Sequence, residues 1–301
     1  MGPVQIAFFG LPLAALLLQA DGQSVGLAVI APFEAPGRRR LKARTKVLDA
    51  GVLGRRLDAQ VDAALAELSP DLVVSWFWSR KLPPRWLTRG RLGAIGVHPS
   101  LLPRHRGPNP FFWVIDQGEP ETGVSVHRLT ERYDEGDVLE TRTLAIGDRD
   151  AWQLARALDR PSLAALRSVV GQVARSGLPK GTPQDEARAT WAPEPTGDEL
   201  RVDFTWPTTR VLRRIRALSP IPGVALELCG QELFLIRAEA TSTYPGALEP
   251  GEAAAVGTPP TGVVIRTGDG AIRVLRAAGP DGEVLAPTAL AQLVASRTRA
   301  V

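Results

Sequence analysis

A histidine at the end of an apolar run is the strongest candidate for a catalytic residue in this chain. His98 follows the apolar segment 94–97 and precedes a loop in which Pro99 and Pro103 restrict the backbone. A buried strand that ends in this way delivers an imidazole to the edge of a sheet, where loops line a cleft. Imidazole changes charge near neutral pH, which suits it to moving protons in a reaction. The alternative is that His98 only caps or packs the end of its strand.

An acidic residue in a second pattern is a candidate partner for this histidine. Residues 121–127 alternate between apolar and polar types as a strand does, and residues 133–139 predict a glycine turn that opens another strand. If these strands neighbour the one that ends at His98, the Asp134 carboxylate lies close to the imidazole. A carboxylate favours the protonated form of a nearby imidazole, so the two groups together are suited to acid–base catalysis.

Three motifs, taken in order, resemble the folate-dependent formyltransferase family. They are the HPSLLP loop at 98–103, the ETG strand at 121–123 and the Asp-x-Gly turn at 134–136. Residues 201–223 are similar to the start of the C-terminal domain of methionyl-tRNA formyltransferases, so the resemblance covers nearly the whole chain. It implies transfer of a formyl group from 10-formyltetrahydrofolate to a primary amine, with tetrahydrofolate as the product.

The same resemblance implies roles for individual residues. His98 matches the family's catalytic histidine, and Asp134 matches the aspartate that tunes it and orders a nearby water. The positions that match the folate-contacting loop are Ser100, Leu101, Leu102 and Pro103. Gly96 stands where the family has a catalytic asparagine, whose amide polarises the formyl oxygen. Loss of one such donor typically costs about 10²–10³ in rate, so catalysis here needs a substitute donor such as water, Asn109 or the backbone.

Four further residues are predicted to contact the substrate: Gly10, Leu11, Arg106 and Asn109. Gly10 and Leu11 follow a predicted strand, at the carboxyl edge where open parallel sheets bind ligands. Arg106 and Asn109 lie just after the predicted folate loop. Residues 107–113 resemble the corresponding segment of relatives that formylate small amines, including nucleotide-linked amino sugars.

The hydrophobic patterns predict an α/β fold in two parts. Strands at 4–9, 25–30 and 72–75 alternate with helices at 13–19 and 57–68, which predicts an N-terminal Rossmann-like domain with a mostly parallel sheet. Strand signals at 224–229, 232–239, 262–267 and 271–276 predict a C-terminal OB-like β-barrel. The predicted organisation is a formyltransferase catalytic domain at 1–178, a proline- and glycine-rich linker at 179–200 and an OB-like domain at 201–301.

Composition limits the class of protein. The chain has 301 residues, of which 44% are hydrophobic and 23% charged, enough for two domains with cores. A single cysteine excludes an internal disulfide and favours a cytoplasmic protein, and three histidines without close ligand spacing indicate no metal site. The apolar segment 6–18 imitates a secretory signal, but Gly10 and Pro12 break it and no positive charge precedes it. We therefore expect a strand, a turn and a helix there, and no membrane partner.

The charge distribution leaves the amine acceptor open. Six basic residues lie roughly where methionyl-tRNA formyltransferases carry a basic loop that admits the acceptor stem: Arg38, Arg39, Arg40, Lys42, Arg44 and Lys46. The alternative is a solvated loop in a protein of net charge +4. Residues 180–301 contain 13 lysines and arginines against 14 aspartates and glutamates, whereas a domain that grips tRNA is usually basic.

These observations favour a small-molecule or biosynthetic-intermediate amine as the acceptor. The first alternative is a methionyl-tRNA formyltransferase. The second is a diverged family member that is inactive, binds RNA or performs redirected one-carbon chemistry, because Gly96 replaces the family's asparagine.

Overall fold

The structure, a computed structural model, describes residues 2–31, 35–50, 55–78 and 80–298. The first thirteen elements, in chain order, are β1 (Gln5–Gly10), α1 (Pro12–Ala20), β2 (Ser24–Ile30), α2 (Arg38–Lys42), β3 (Lys46–Asp49), α3 (Arg55–Leu68), β4 (Leu72–Trp76), α4 (Pro84–Leu87), β5 (Gly93–His98), α5 (Pro110–Asp116), β6 (Glu121–Arg128), β7 (Val138–Ala145) and α6 (Ala151–Ser176). The next eight are α7 (Thr208–Ala217), β8 (Val224–Leu228), β9 (Gln231–Thr241), β10 (Ala253–Val256), β11 (Gly262–Arg266), β12 (Ala271–Ala278), β13 (Val284–Leu285) and α8 (Pro287–Thr298).

The chain forms two compact units that do not follow sequence order. The first unit contains residues 1–110, 122–144 and 157–192. The second unit contains residues 111–121, 145–156 and 193–301. The boundaries expected at 178 and 201 are divisions along the sequence and stay predictions.

A seven-stranded sheet runs through the first unit in the order β3-β2-β1-β4-β5-β6-β7. Strands β1 to β5 are parallel, and β6 runs antiparallel to β5. Apolar side chains on both faces of β1 and β4 are buried, as a sheet covered on two sides requires. The strand order reverses between β1 and β4, which is where open α/β sheets bind ligands at their carboxyl ends. The prediction of a mostly parallel, Rossmann-like sheet is confirmed.

The basic run at 38–46 is not the loop that we expected from the sequence. Arg38 to Lys42 form α2, and Lys46 begins the edge strand β3. The Arg38 guanidinium pairs with Asp49, and the Lys46 ammonium lies 2.6 Å from Glu67. Two of the six cations therefore have carboxylate partners within the first unit.

A second sheet, in the second unit, is antiparallel and has six strands in the order β10-β11-β12-β9-β8, with β13 paired to β12. The predicted second domain of β-strands is confirmed as an antiparallel sheet; within the described residues β8 and β10 do not pair with each other, so the sheet is not a closed barrel. The pattern of alternating residues identified the strands, but closure depends on pairing between strands distant in sequence. Helix α8, which we did not predict from the sequence, packs against β10, β11 and β12.

Candidate active site

The antiparallel pair of strands β5 and β6 places four small or polar residues on one face of the sheet. The antiparallel register pairs Gly96 with His127 and His98 with Ser125. Alternate residues of a strand point to the same side, so residues 96 and 98 share a face with the two residues opposite them. Both imidazoles are buried, with His98 6% and His127 2% exposed. The sequence placed His98 correctly at the end of its strand.

Asp134 is held by a strained turn that follows β6. Its φ of 56° lies in the left-handed region, which aspartate tolerates better than most residues. The side-chain amide of Gln184 donates to the backbone oxygens of Asp134 at 2.6 Å and Gly136 at 2.7 Å. A Cβ at position 136 would lie 1.9 Å from the Arg128 oxygen, so only glycine fits this turn. The turn thereby holds the Asp134 carboxylate in one place.

The Asp134 carboxylate lies between two imidazoles. Its Oδ2 lies 3.4 Å from His98 Nδ1, and its Oδ1 lies 3.5 Å from His127 Nε2. Oδ2 also accepts a hydrogen bond from the Gly107 backbone N–H at 2.9 Å. The structure therefore brings His98 and Asp134 together, as the sequence predicted, although their catalytic roles stay predictions. His127 was missed, because nothing local in the sequence shows that it faces Gly96.

Each of these imidazoles binds a backbone carbonyl through its other nitrogen. His98 Nε2 donates to the His105 oxygen at 2.7 Å, and His127 Nδ1 donates to the Arg128 oxygen at 3.0 Å. Burial lowers the pKa of His127 from 6.5 to about 4, against the opposite effect of the Asp134 charge. His127 is therefore neutral at physiological pH.

The loop predicted to contact folate is fixed by serine hydroxyls. Ser125 Oγ donates to the Ser100 oxygen at 2.8 Å and accepts the Leu102 N–H at 3.1 Å. The Ser100 side chain is buried and donates to the Arg104 oxygen at 2.7 Å. Leu101 and Pro103 keep part of their surface exposed. A loop ordered in this way can hold a ligand without further ordering, and its four predicted contacts with folate stay predictions.

Arg106 and the segment that follows α6 support the same loop. The buried Arg106 guanidinium donates to Gln184 at 2.9 Å and to Glu186 at 2.8 Å. Thr190 Oγ1 accepts the His105 N–H at 2.8 Å, and Asn109 N–H donates to the Ala192 oxygen at 3.0 Å. Residues expected in the linker thus pack on the candidate site. Substrate contacts by Arg106 and Asn109 stay predictions.

Gly10 and Leu11 lie at the carboxyl ends of β1 and β4. Gly10 has a φ of 143°, and a Cβ on it would lie 1.8 Å from the Trp76 oxygen. The Leu11 N–H donates to the same oxygen at 3.4 Å. Position 10 therefore needs glycine for the close approach of two strands, and a role in binding substrate stays a prediction.

An exposed aromatic pair adjoins Asp134 and was not predicted. Tyr133 is 48% and Trp191 53% exposed, and their ring centroids lie 6.4 Å apart. Lys81 Nζ lies 5.3 Å from the Tyr133 ring centroid. Such a surface suits stacking on a planar group of a ligand.

Among the described residues, no group of three or more histidine, cysteine or acidic side chains is arranged to hold a metal ion. None of the helices in the described part of the chain has the length and apolar character needed to cross a bilayer.

Comparison with known proteins gives relatives over both units. Residues 34–170 match the Formyl transferase family, and residues 196–293 match the Formyl transferase, C-terminal domain family. The methionyl-tRNA formyltransferase of Phenylobacterium zucineum is 34% identical over 288 residues, which cover 91% of each chain. That of Synechococcus sp. is 32% identical over 298 residues, covering 92% of this chain and 91% of the relative.

Solved structures share the fold. HypX from Aquifex aeolicus, in complex with tetrahydrofolic acid, superposes with a TM-score of 0.70 at 24% identity; the match covers 95% of this chain and 46% of HypX. The present chain thus spans less than half of HypX. WlaRD, a sugar 3N-formyl transferase, superposes with a TM-score of 0.64 at 13% identity and is covered over 98% of its length. From the sequence similarity over both of its parts, the chain belongs to the formyl transferase family of enzymes.

Proposed function

We propose that the chain transfers the formyl group of 10-formyltetrahydrofolate to a primary amine. The observation that carries this proposal is the contact between the His98 imidazole and the Asp134 carboxylate at 3.4 Å, beside the ordered loop 99–106. In the transfer, the amine nitrogen attacks the formyl carbon, and the bond from that carbon to the folate nitrogen then breaks. One proton leaves the attacking nitrogen and one joins the folate nitrogen, which requires a group that moves protons.

His98 is the proton shuttle in this proposal, and Asp134 holds its ring. The loop at Ser100, Leu101, Leu102 and Pro103 would bind the folate. The negative oxygen of the tetrahedral intermediate needs a donor, and Gly96 offers no side chain for it. Backbone N–H groups and water are the donors left for this task, together with the Asn109 amide.

Methionyl-tRNA is the first candidate acceptor. Relatives named for that activity match this chain over about nine-tenths of both lengths, including the C-terminal part. This similarity supports the alternative drawn from the sequence better than the small-molecule amine that we favoured there.

A small-molecule amine is the second candidate, and charge favours it. Residues 180–301 carry 13 basic against 14 acidic residues, and Arg38 and Lys46 of the basic run have carboxylate partners. A surface of this kind attracts phosphates weakly.

The test is a formylation assay with the full chain. The protein is incubated with 10-formyltetrahydrofolate and, separately, methionyl-tRNA, nucleotide-linked amino sugars and amino acids, while tetrahydrofolate release and product mass are followed. We expect formyl-methionyl-tRNA, with His98→Ala as the inactive control. Formylation of a small amine alone selects the second acceptor. Folate release with no formylated product from any acceptor refutes amine transfer and leaves the diverged-member interpretation.

A further inference from the structure

Two exposed aromatic rings lie beside the candidate site and have no part in the contact between His98 and Asp134. Tyr133 directly precedes Asp134, and Trp191 lies in the segment that follows α6. The two residues are 48% and 53% exposed, and their ring centroids lie 6.4 Å apart at an interplanar angle of 65°. A single exposed aromatic residue is normal on a protein surface, but two in contact beside a candidate reacting group indicate a surface that binds a ligand.

Trp191 is held firmly in place although the residue is half-exposed. The Arg106 N–H donates to the Thr190 oxygen at 2.9 Å, just before Trp191. The Ala192 N–H donates to the Arg106 oxygen at 2.7 Å, just after it. The indole lies on the backbone of Gly107, because a Cβ built on that glycine would be 3.0 Å from Cε2 and from Cζ2 of the ring. A ring fixed in this way loses little entropy when a ligand stacks on it.

The aromatic pair is connected to the candidate acid through Gly107. The Gly107 N–H donates to Asp134 Oδ2 at 2.9 Å, so the residue under the indole also holds the carboxylate. Tyr133 belongs to the same turn as Asp134. A planar group stacked on these rings therefore lies near the reacting groups without being one of them. A spacer must join that planar group to the atom that reacts.

A lysine supplies positive charge beside the aromatic pair. Lys81 Nζ lies 5.3 Å from the centroid of the Tyr133 ring. Two acidic side chains of the neighbouring segments have cations of their own: Glu135 with Arg132 at 3.2 Å, and Glu186 with Arg106 at 2.8 Å. Aromatic faces next to a cation match a nucleotide, which joins an uncharged planar base to an anionic phosphate.

We propose that Tyr133 and Trp191 form the subsite for a nucleobase of the amine acceptor, with Lys81 near the phosphate of the same nucleotide. The proposal rests on the proposed function and narrows its acceptor to an amine that is joined to a nucleotide. The formyl donor has its own predicted site in the loop at 100–103, which leaves the aromatic pair to the acceptor. Methionyl-tRNA and a nucleotide-linked amino sugar both carry a base at a distance from the amine, whereas a free amino acid carries none.

The first test detects contact with a base and does not depend on turnover. The full chain, as wild type and as Trp191→Leu, is mixed at millimolar ligand with adenosine 5′-monophosphate, thymidine 5′-diphosphate or ribose 5-phosphate. Saturation-transfer NMR then identifies the ligand protons that contact the protein. With the wild type we expect stronger transfer to the base protons than to the ribose protons of at least one nucleotide, and with the variant we expect this transfer to be lost. Base transfer that is equal in the two proteins, or absent in the wild type, overturns the proposal.

The second test measures KM for each substrate of formyl transfer. Stacking of a base on an aromatic side chain is worth about tenfold to a hundredfold in affinity. Trp191→Leu is therefore expected to raise KM for the acceptor at least about tenfold, with kcat and KM for 10-formyltetrahydrofolate within about twofold of the wild type. Trp191→Phe keeps an aromatic face and is expected to recover most of this loss. Trp152→Leu is the matched control, because Trp152 is 59% exposed in the second unit; its KM values stay at those of the wild type.

The charge of Lys81 is tested through salt. With methionyl-tRNA as the acceptor, Lys81→Met is expected to raise KM for the acceptor about threefold at low salt and to weaken its dependence on salt by about one phosphate contact. A salt dependence equal to that of the wild type overturns the part of the proposal that concerns Lys81.

The outcomes separate this inference from the proposed function. A higher KM for the folate donor in Trp191→Leu, with no change for the acceptor, assigns the rings to the donor and overturns the inference. Formylation of a free amino acid as efficiently as of the nucleotide-bearing acceptors overturns it as well. If the wild type formylates no acceptor, the proposed function fails, while the NMR test still decides whether the rings bind a base. The acceptor that the wild type formylates identifies the source of that base.

Discussion

Two buried clusters of ionisable groups, one in each unit, are built on opposite principles. In the second unit, Asp116 is 4% exposed and accepts from Arg214 Nε at 2.7 Å and from Arg210 Nη2 at 2.9 Å. Burial by itself raises the pKa of Asp116, but the hydrogen bonds from Arg214 and Arg210 outweigh it and hold that pKa below its usual value. Every oxygen of this carboxylate therefore meets a cationic donor.

The cluster of the first unit pairs its carboxylate with imidazoles instead of guanidinium groups. Asp134 accepts one backbone N–H, and its other neighbours are imidazole nitrogens at 3.4 and 3.5 Å. Its backbone is also held in the left-handed region. A guanidinium keeps its charge and holds a carboxylate in a structural ion pair, whereas an imidazole is the side chain that gains and loses protons near neutral pH. Under the proposed function, the cluster of the first unit is the one that moves protons.

The largest expected effect is on turnover. His98→Ala is expected to lower kcat for formyl transfer by about 10³-fold, since it removes the group that moves protons, while the melting temperature stays within a few degrees of the wild type. Steady-state kinetics and thermal unfolding measure the two effects. Turnover equal to the wild type would remove His98 from the mechanism and with it the contrast between the clusters.

Replacement of Asp116 is expected to disrupt the ion-pair cluster of the second unit. Asp116→Ala leaves Arg214 buried without its carboxylate and is expected to lower the free energy of unfolding by about 3 kcal/mol in urea titrations. Asp148→Ala is the matched control in the same unit, because Asp148 is fully exposed and lies 3.9 Å from Arg216. Its loss is expected to cost under about 0.5 kcal/mol. If both variants lower the free energy of unfolding equally, burial of the Asp116 ion pairs does not contribute to stability.

The buried His127 of the first-unit cluster is expected to make the stability of the protein depend on pH. The pKa of His127 is about 4 in the folded chain and has the ordinary value of 6.5 in the unfolded chain. Between pH 4 and pH 6.5, His127 is therefore protonated in the unfolded chain and neutral in the folded chain. Stability therefore falls as pH falls through this window, by about 2 kcal/mol from pH 7.5 to pH 5. His127→Gln is expected to lack this component in urea unfolding at the two pH values. The same loss in the variant and the wild type would refute it.

The smallest effect concerns Gly96. Gly96→Asn forces Leu129 aside, because the new Cβ would lie 2.6 Å from Leu129 Cδ2, and is expected to cost about 1–2 kcal/mol of stability. Gly96→Asn combined with Leu129→Ala relieves the overlap and adds an amide donor, so kcat is expected to rise at least about tenfold. An unchanged kcat in the double variant would show that the site does not lack an oxyanion donor.

Local pattern was enough to predict part of this site and not the rest. The apolar run before His98 and the glycine turn after Asp134 are signals within a few residues, and both were interpreted correctly. The contact of Gln184 with Asp134 spans 50 residues, and that of His105 with Thr190 spans 85. Contacts of this kind depend on how distant segments pack and leave no periodicity in the sequence. The same reason hid His127, whose position opposite Gly96 follows from strand register.

The segment after α6, residues 177–192, determines where the chain can be shortened without loss of contacts to the candidate site. A shortened chain that stops at residue 178 would retain all seven strands of the first sheet and helix α6. It would lack the Gln184 amide, which donates to the backbone oxygen of Asp134, and the Thr190 hydroxyl, which accepts the His105 N–H. Such a fragment would lose two of the contacts that hold the Asp134 carboxylate and the loop before it in place. A fragment made to test the proposed function in the first unit therefore has to extend to residue 192.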